Sequence, residues 1–316
     1  MRDMPRRAFG KTGLHLTPVG LGCAPLGNLE KVEDDKIAVD IIHTAFQSGI
    51  NFLDTAPLYG NGDSERRVGL ALRELTNEIP DDLVVNTKVG YRPDPFDYSE
   101  AASLRCVETS LTILGLDRID MVHIHDVQHS NLQTVMNGSL RALQRLRDEG
   151  VVGVIGVAGG RIKLLREYID TGEFDSVMTH NRFNLLDQPA VPLLDHADKL
   201  GVALINGAPY ASGLLARPLD DSVTYVYRNA PRKVRKRAQA IAAICKAYGV
   251  TLPVAATQFS TRDLRVGTTV VGASSPQQIC QTATATDANI PAEFWKEVGS
   301  TAKANMEDTI QGIQPQ

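Results

Sequence analysis

Short apolar runs alternate with longer amphipathic stretches from one end of the chain to the other. Each run has the length of a β-strand, and each stretch repeats its apolar residues at helical spacing. The eight pairs are TPVGLG with 34–48, INFLD with 64–75, LVVNTKVG with 99–114, IDMVHIH with 132–149, VGVIGV with 162–171, DSVMTH with 191–200, VALING with 231–248, and GTTVVGA with 275–284. This pattern predicts about eight strand-plus-helix units.

The apolar runs are continuous, as in strands that are buried on both faces of a parallel sheet. A doubly wound open sheet is the alternative, but it normally carries a G-x-G-x-x-G turn after an early strand, and VGLGCAPLG lacks that spacing. Eight units in about 300 residues favour an α/β fold of the (β/α)8 TIM barrel type, a closed ring of parallel strands surrounded by helices.

Three segments fall outside the eight units. Residues 6–16, with the turn GKTG, predict an N-terminal β-hairpin ahead of the first barrel strand. Residues 216–231 and the tail after Pro291 are predicted to be additions to the barrel, and the tail is expected to be helical. No linker or shift in composition divides the chain, so residues 1–316 are expected to form one barrel domain.

Composition is that of an ordinary globular enzyme, and it narrows the possible partners. The 316 residues are 43% hydrophobic and 22% charged, with a formal net charge of −4. The basic stretch PRKVRKRAQ has helical spacing and is typical of a solvated helix face, so no nucleic-acid partner is expected. No apolar stretch approaches the roughly 20 residues that span a bilayer, and MRDMPRRAFG lacks the apolar segment of a signal peptide.

The four cysteines are Cys23, Cys106, Cys245 and Cys280, and they are far apart in the sequence. They form no C-x-x-C pair, so neither a zinc site nor a disulfide framework is indicated. We therefore expect no metal, a reducing compartment and a cytoplasmic location.

Polar side chains lie at the ends of three consecutive predicted strands. Asp54 closes NFLD, Lys88 lies near the end of LVVNTKVG, and His125 follows IDMVHI. In a (β/α)8 barrel these strand ends meet at one mouth, where catalytic residues lie. A buried carboxylate needs a partner, because the loss of water is energetically costly, and Lys88 is the cation that Asp54 requires. The three residues are therefore predicted to form one site.

Tyr59 lies in the turn after Asp54 and completes this predicted site. A phenol with a pKa of about 10 is a poor acid or base at neutral pH, but a nearby ammonium such as that of Lys88 lowers this pKa. His125 would hold a substrate oxygen next to Tyr59, which would then exchange a proton with an alcohol or a carbonyl. Because no protein side chain donates a hydride, oxidation or reduction at the carbon implies a nicotinamide cofactor.

Four stretches resemble the aldo-keto reductase superfamily, and they extend over nearly the whole chain: GKTGLHLTPVGLG, NFLDTAPLYGNGDSE, TKVG and HIHD. The resemblance implies a catalytic tetrad of Asp54, Tyr59, Lys88 and His125 in a (β/α)8 barrel. It also implies that NAD(P) binds extended across the mouth, without a Rossmann fold. His123 belongs to the same HIHD motif, but it is expected to pack inside the barrel.

The same resemblance implies which positions contact the cofactor. They are Gly22, Cys23, Asp54, Ala158, Gly159, His180, Gly207, Ala208, Pro209, Tyr210, Ser212, Gly213, Leu214, Gly272, Ala273, Ser274, Gln278 and Gln281. Two places depart from the family pattern. Ala158 and Gly159 stand where Ser-Asn usually holds the nicotinamide amide, and Gly207 stands where a tyrosine often lies under the ring. Backbone groups, or His180 and Asn181, are the alternatives.

Cofactor preference is predicted from VVGASSPQQI, the segment at the end of the eighth strand. Many NADP-dependent members of the family hold the 2′-phosphate with a lysine and, six residues later, an arginine, and the matching residues here are Gly272 and Gln278. NAD is therefore expected in preference to NADP, because a phosphate would be desolvated beside neutral groups such as Ser274. Arg262 or Arg217 would restore a cation; Arg217 is otherwise a partner for the pyrophosphate or a solvated loop charge.

Within the family, the chain is most similar to the aldose 1-dehydrogenase branch, on the stretches HIHDVQHS, ALQRLRDEGVVGVIGVAG, GAPYASGLLA and VGASSPQQI. Enzymes of that branch oxidise a sugar such as L-galactose or L-fucose to a lactone at its anomeric carbon, or pyridoxal at an aromatic hemiacetal. Asp126 and His129 are candidates for binding sugar hydroxyls; the alternative is a loop acid and a solvent-facing histidine.

Three functions stay open. NAD-dependent oxidation of a free aldose is favoured, and the alternatives by the same residues are NADPH-dependent reduction of aldehydes or ketones and oxidation of pyridoxal. A cofactor-binding regulatory subunit, like the potassium-channel β-subunits that share this fold, is disfavoured by the intact tetrad. The expected partner is a small sugar or aldehyde, with no nucleic acid and no membrane. The sequence leaves the identity of the sugar and the oligomeric state open.

Overall fold

The computed structural model describes residues 2–27, 34–90, 96–217, 224–225 and 228–303. Its strands, in chain order, are β1 (Arg7–Ala8), β2 (His15–Leu16), β3 (Val19–Gly22), β4 (Phe52–Asp54), β5 (Val84–Val89), β6 (Ile119–Ile124), β7 (Val152–Gly159), β8 (Ser176–His180), β9 (Ala203–Gly207), β10 (Thr224–Tyr225), β11 (Arg228–Asn229) and β12 (Thr268–Gly272). Strands β3 to β9 and β12 pair in parallel, and β12 pairs with β3 to close the barrel. The predicted (β/α)8 barrel is confirmed.

The α-helices surround the barrel. They are α1 (Asp35–Gln47), α2 (Asp63–Glu74), α3 (Glu100–Leu114), α4 (Leu132–Val135), α5 (Arg141–Asp148), α6 (Ile162–Ile169), α7 (Val191–Leu200), α8 (Arg232–Ala247), α9 (Leu252–Thr261), α10 (Pro276–Ala285) and α11 (Ala292–Lys303). Two features differ from the sequence pattern. A π-helical segment, Met136–Leu140, separates α4 from α5 where one helix over 132–149 was expected, and α9 was not predicted.

Some of the helices begin and end at residues that cap them. The Asp34 side chain accepts a hydrogen bond from the Lys36 N–H at the start of α1, and Ser99 accepts one from the Ala102 N–H at the start of α3. Helix α3 ends at Gly115, whose φ of 71° is left-handed and therefore suits glycine. Such caps stabilise a helix end by about 1 kcal/mol each.

The interior of the barrel is apolar at its N-terminal end. Alternate strand residues point inward and pack with the hairpin β1–β2. The apolar cluster that fills this end, and that extends as far as Ala158 near the C-terminal end of β7, consists of Phe9, Leu16, Phe52, Val84, Met121, Val154, Ala158, Met178, Ala203, Ile205 and Val270. Because Phe9 and Leu16 are fully buried, the predicted hairpin closes this end of the barrel. The C-terminal ends of the strands form the other end, the mouth, where chemistry is expected in this fold.

A satellite core lies outside the barrel, between α8, α9 and α11. It includes Leu214 and Leu215, so the loop after β9 is anchored from outside the barrel. The antiparallel pair β10–β11 lies in the predicted addition 216–231, of which 218–223 and 226–227 lie outside the described residues, as does the tail beyond Lys303. Over the described ranges, no single helix is long and apolar enough to cross a bilayer; α8 and α9 meet that criterion only as a pair bent by 98°.

Candidate active site

Four of the predicted site residues meet on one side of the mouth, which we call the proton half: Asp54, Tyr59, Lys88 and His125. Asp54 ends β4, Lys88 lies on β5, and His125 follows β6. These strands are neighbours in the barrel, so their ends lie side by side. Tyr59 lies in the turn between β4 and α2 and reaches back over the same strand ends.

Lys88 is the centre of the proton half. Its Nζ donates hydrogen bonds to Asp54 Oδ1 at 2.8 Å, to the backbone oxygen of Thr55 at 2.9 Å, and to the Tyr59 hydroxyl oxygen at 3.0 Å. An ammonium has three N–H donors, and these contacts use all of them. Lys88 is 1% exposed and Asp54 is 3% exposed. The lysine is therefore held in one position against the phenol.

The charge of Lys88 follows from these contacts. Burial lowers the pKa of Lys88, but the negative charge of Asp54 and the interaction with Tyr59 outweigh burial, and the net pKa is raised. The lysine is therefore an ammonium at neutral pH. A positive charge at this distance favours the phenolate form of a tyrosine.

His125 lies next to Tyr59 in a buried position. The two rings are 5.9 Å apart between centroids and meet edge to face at 89°. Burial lowers the pKa of His125 to about 3; the carboxylate of Asp126, 4.0 Å from Nε2, opposes this, and Lys88 adds to it. The imidazole is neutral at neutral pH, and a neutral imidazole carries one N–H with which to hold a substrate oxygen.

A further residue, Tyr98, supports the backbone that carries His125. The Tyr98 hydroxyl lies 2.9 Å from the backbone oxygen of His125 and 2.8 Å from that of Asp126, and its single O–H is shared between these two acceptors. Ser139, in the π-helical segment, donates from its hydroxyl to the backbone oxygen of Tyr98 at 3.2 Å. A Cβ at Gly138 would lie 2.0 Å from that same oxygen. The π-helical segment thus allows Tyr98 to pack beneath the site. No motif in the sequence indicated this role of Tyr98.

The two predicted sugar-binding residues lie just beyond His125. Asp126 has a left-handed φ of 47°, and its Oδ1 accepts a hydrogen bond from Gln128 Nε2 at 3.0 Å. His129 is exposed, and its ring stacks on that of Phe96 with 4.3 Å between centroids and 7° between planes. Asp126 therefore presents a carboxylate beside His125, whereas His129 presents a flat face built with Phe96.

Apart from Asp54, which belongs to the proton half, the predicted cofactor residues lie on the remaining strand ends, which we call the cofactor half. Gly22 and Cys23 are at the end of β3, Ala158 and Gly159 at the end of β7, His180 at the end of β8, and Gly207 at the end of β9, followed by Ala208, Pro209, Tyr210, Ser212, Gly213 and Leu214; Gly272, Ala273 and Ser274 follow β12, and Gln278 and Gln281 are on α10. The side chains of Cys23, Leu214 and Ala273 are buried in the core. At these three positions only backbone groups could contact a cofactor.

Strained backbone is concentrated in the mouth. Every non-glycine residue of the described ranges with positive φ lies in a loop at the C-terminal end of a barrel strand. Four of the six are in the cofactor half: Asn181, Ala208, Ala211 and Ser212, with φ between 52° and 58°. Such residues are strained, and they persist at functional sites because the surrounding structure holds them. Here Ser212 Oγ donates to Asn181 Oδ1 at 3.3 Å, which joins two of the loops.

The cofactor half suits a nicotinamide dinucleotide. Gly207 has no side chain and Ala158 has only a methyl group, so no large side chain occupies this side of the mouth at these two positions. A Cβ at Gly213 would lie 3.4 Å from Arg217 Nε, so a guanidinium lies against the loop after β9. Loops in left-handed turns can direct successive backbone N–H groups at an anion. Together with the arginine, they fit a pyrophosphate.

The end of β12 is neutral. Gln278 Oε1 accepts hydrogen bonds from the Ser274 N–H at 2.8 Å and from the Ser274 hydroxyl at 3.3 Å. The segment from Gly272 to Gln278 contains no lysine or arginine. A Cβ at Gly272 would lie 2.9 Å from Pro25 Cγ, so a lysine at this position would require Pro25 to move. The described residues contain no group of three or more His, Cys, Asp or Glu that could hold a metal ion.

Comparison with known proteins gives consistent matches. A model of the aldo/keto reductase family matches residues 18–303. D-threo-aldose 1-dehydrogenase of a Pseudomonas species is 33% identical to the chain and covers 92% of it and 95% of the relative. Pyridoxal 4-dehydrogenase of Microbacterium luteolum is 32% identical, with 95% and 98% covered. Among solved structures, an aldo-keto reductase of Bacillus halodurans in its holo form has a TM-score of 0.81 at 26% identity, with 98% and 100% covered.

Proposed function

Because the chain belongs to the aldo/keto reductase family, whose members use nicotinamide cofactors, we propose that it oxidises a free aldose at the anomeric carbon to the lactone with NAD. The family match confirms the resemblance of the sequence motifs. The observation that carries the proposal is the set of three contacts made by Lys88, which hold an ammonium 3.0 Å from the Tyr59 hydroxyl. The name of the Pseudomonas relative supports the choice of an aldose.

The proposed reaction uses Tyr59 as the base. The phenolate of Tyr59 accepts the proton of the anomeric hydroxyl, while the neutral imidazole of His125 donates a hydrogen bond to the same oxygen. A nicotinamide ring, when bound, supplies the acceptor for the hydride that leaves the anomeric carbon. As the O–H and C–H bonds break, the carbonyl of the lactone forms. Lys88, held by Asp54, keeps Tyr59 in the form that accepts the proton.

Two features support the finer choices of cofactor and substrate. The absence of cations between Gly272 and Gln278 favours NAD, because a 2′-phosphate would lose water there without a charged partner. Asp126, beside His125, offers a carboxylate that suits a sugar hydroxyl. We expect the enzyme to act in the cytoplasm as one barrel domain.

Pyridoxal is a second candidate substrate. The relative from Microbacterium luteolum is a pyridoxal 4-dehydrogenase, and the stacked pair Phe96 and His129 offers a flat surface for an aromatic ring. The two candidate substrates would contact Phe96 and His129 differently. A sugar would form hydrogen bonds through its hydroxyl groups, whereas pyridoxal would stack its ring on this surface.

The test is the formation of NADH with a panel of free aldoses and pyridoxal, repeated with NADP. Oxidation of one aldose with NAD, at a higher kcat/KM than any other pair gives, supports the proposal. Faster oxidation of pyridoxal selects the second candidate. Efficient NADPH-dependent reduction of simple aldehydes, without oxidation of any sugar, would contradict both.

A further inference from the structure

A row of polar side chains crosses the barrel interior beneath the tetrad. Asn86 Nδ2 lies 2.5 Å from Asp54 Oδ1, and Asn86 Oδ1 lies 2.8 Å from His123 Nδ1. His123 Nε2 lies 3.1 Å from Ser176 Oγ. We call Asp54, Asn86, His123 and Ser176 the interior polar row. Asp54 is 3% exposed and the other three are fully buried.

The direction of every hydrogen bond in the interior polar row is fixed by chemistry. An ionised carboxylate only accepts, so Asn86 must turn its NH2 group toward Asp54 and its oxygen toward His123. His123 must then carry its proton on Nδ1, and Nε2 accepts from the hydroxyl of Ser176. Burial, with the nearby charge of Lys88, lowers the pKa of His123 well below its usual value, so the ring is neutral and has only this one N–H.

Gly156 on β7 makes the row possible. This strand lies between β6, which carries His123, and β8, which carries Ser176. A Cβ at Gly156 would lie 2.3 Å from His123 Nε2 and 2.4 Å from Ser176 Oγ. Any side chain there would enter the space in which the histidine and the serine meet. The interior polar row therefore extends across five adjacent strands, β4 to β8. Strand β7 has no side chain in the row, because its residue there is Gly156.

We propose that His123 is a positioning residue, which acts through Asn86 to hold the carboxylate of Asp54 where it fixes Lys88 against Tyr59. Asn86 and Lys88 donate to the same oxygen, Asp54 Oδ1. All bonds of the row are donated toward Asp54, so the row offsets part of its negative charge and fixes its orientation. The inference rests on the proposed role of Tyr59.

The loss of His123 has a defined electrostatic consequence. Without it, the Asn86 amide is no longer oriented, and the charge of Asp54 acts more strongly on the phenolate of Tyr59 while Lys88 is held less firmly. Both changes disfavour the phenolate. The other titratable groups that face this part of the site are Cys23, Glu65, His125, Asp126, His129 and His180. None of these is replaced in the variants below.

The first test measures the tautomer of His123 in the wild-type protein, without cofactor or substrate. Nitrogen-15 NMR of histidine-labelled protein should show His123 with its proton on Nδ1 and no titration between pH 5.5 and pH 9, a range chosen to span roughly the usual histidine pKa. The signal is assigned by its loss in His123→Gln or, if that variant does not fold, by its change in Ser176→Ala. A proton on Nε2, or titration in this range, would overturn the proposal.

The second test follows kcat/KM for aldose oxidation with NAD against pH. His123→Phe should move the midpoint of the acidic limb upward by about half a pH unit or more, with kcat on the alkaline plateau within about threefold of wild type. His123→Gln, which keeps an N–H donor, should move it less. A loss of plateau activity with an unchanged midpoint would mean that His123 only supports the fold, and would refute the proposal.

Two serines provide a matched pair. Ser176 and Ser260 are both fully buried and hydrogen-bonded, but Ser260 lies on α9 and contacts Asn206 and Thr269. Ser176→Ala should shift the acidic limb in the same direction as His123→Phe, and Ser260→Ala should leave it unchanged. Equal shifts in both would contradict the proposal. If no substrate is oxidised at all, the proposed function fails, while the NMR result still decides the state of the interior polar row.

Discussion

The proton half and the cofactor half share one mouth but differ in their construction. In the proton half, the four side chains of the tetrad form the site, and Lys88 contacts Asp54 and Tyr59 at 2.8 and 3.0 Å. In the cofactor half, the predicted positions are mostly glycine, alanine and serine, and four non-glycine residues adopt left-handed backbone conformations. The first half therefore depends on the identity of side chains, whereas the second depends on the path of the backbone.

This difference matters for how each half responds to substitution. A side chain that transfers a proton cannot be replaced without loss of that step. A backbone N–H is present whatever the side chain, so a binding loop tolerates substitutions that keep its φ and ψ angles. Single substitutions in the proton half should therefore greatly reduce activity, whereas substitutions in the cofactor half should be tolerated and should be able to change cofactor preference.

The largest effect is expected for Tyr59→Phe. Removal of the hydroxyl removes the group that accepts the proton, so turnover should fall by about 10² to 10⁴ or more. Binding of NAD, measured by the quenching of protein fluorescence, should change little. Tyr248→Phe is the control, because the Tyr248 hydroxyl donates to Glu297 Oε2 at 3.1 Å beside the satellite core, outside the barrel. Turnover of Tyr59→Phe equal to that of the control would remove Tyr59 from the mechanism.

The cofactor half should accept a new specificity through one substitution. Gln278→Arg places a cation where the predicted 2′-phosphate contact lies, and a charge-assisted hydrogen bond contributes roughly 1.5 to 3 kcal/mol. The ratio of kcat/KM with NADP to that with NAD should therefore rise about tenfold or more. Gln277→Arg adds the same charge one residue earlier on α10, on a different face of the helix, and should change the ratio much less. If the ratio does not change in Gln278→Arg, the 2′-phosphate of NADP does not bind next to position 278.

Acid should destabilise the proton half through His125. The folded protein holds this ring neutral with a pKa of about 3, whereas the unfolded chain has a histidine pKa of about 6.5. The unfolded state therefore binds the proton first, and stability that is present above about pH 6.5 is lost as the pH falls toward the folded value. Between about pH 6.5 and 5.5, wild type should lose roughly 1 kcal/mol more unfolding free energy than His125→Gln. Urea titrations at both values measure this difference; an equal loss would contradict it.

The smallest effect is expected from Ala208→Gly. Ala208 has a φ of 55°, and glycine relieves a strain of roughly 1–2 kcal/mol there, offset in part by the greater freedom of glycine in the unfolded chain. The melting temperature should rise, by the equivalent of about 0.5 kcal/mol. Ala101→Gly, at an exposed position in α3, should instead lower it by a comparable amount. The same sign for both variants would mean that the loop is not strained.

The sequence predicted the fold well, because burial leaves a periodic trace. The eight barrel strands and the hairpin β1–β2 were recognisable from apolar runs and turn residues. The break at Met136–Leu140 was not, because it depends on the contact between Gly138 and the backbone of Tyr98 about forty residues away. Helix α9 was missed because its amphipathic pattern is weak, with small and polar residues among those it buries.

The two halves of the mouth also differed in how far the sequence alone could predict them. Asp54, Lys88 and His125 were identifiable because strand ends converge in a barrel. Asn86, which also binds Asp54, was not identified, although it lies two residues before Lys88 and the alternation along a strand puts both on one face. The backbone of the cofactor half left no such signal, because an alanine or serine in a left-handed conformation looks like any other in the sequence.

Gly156 has a consequence for how this protein can change over evolutionary time. Because Gly156 has no side chain, His123 and Ser176 can both occupy the space beside it, so substitutions at these three positions depend on one another. A lineage that still has the histidine cannot acquire a larger residue at 156 without a collision in the barrel interior. The order of events is thus constrained: the histidine has to be lost first, and only then does the glycine become neutral to selection.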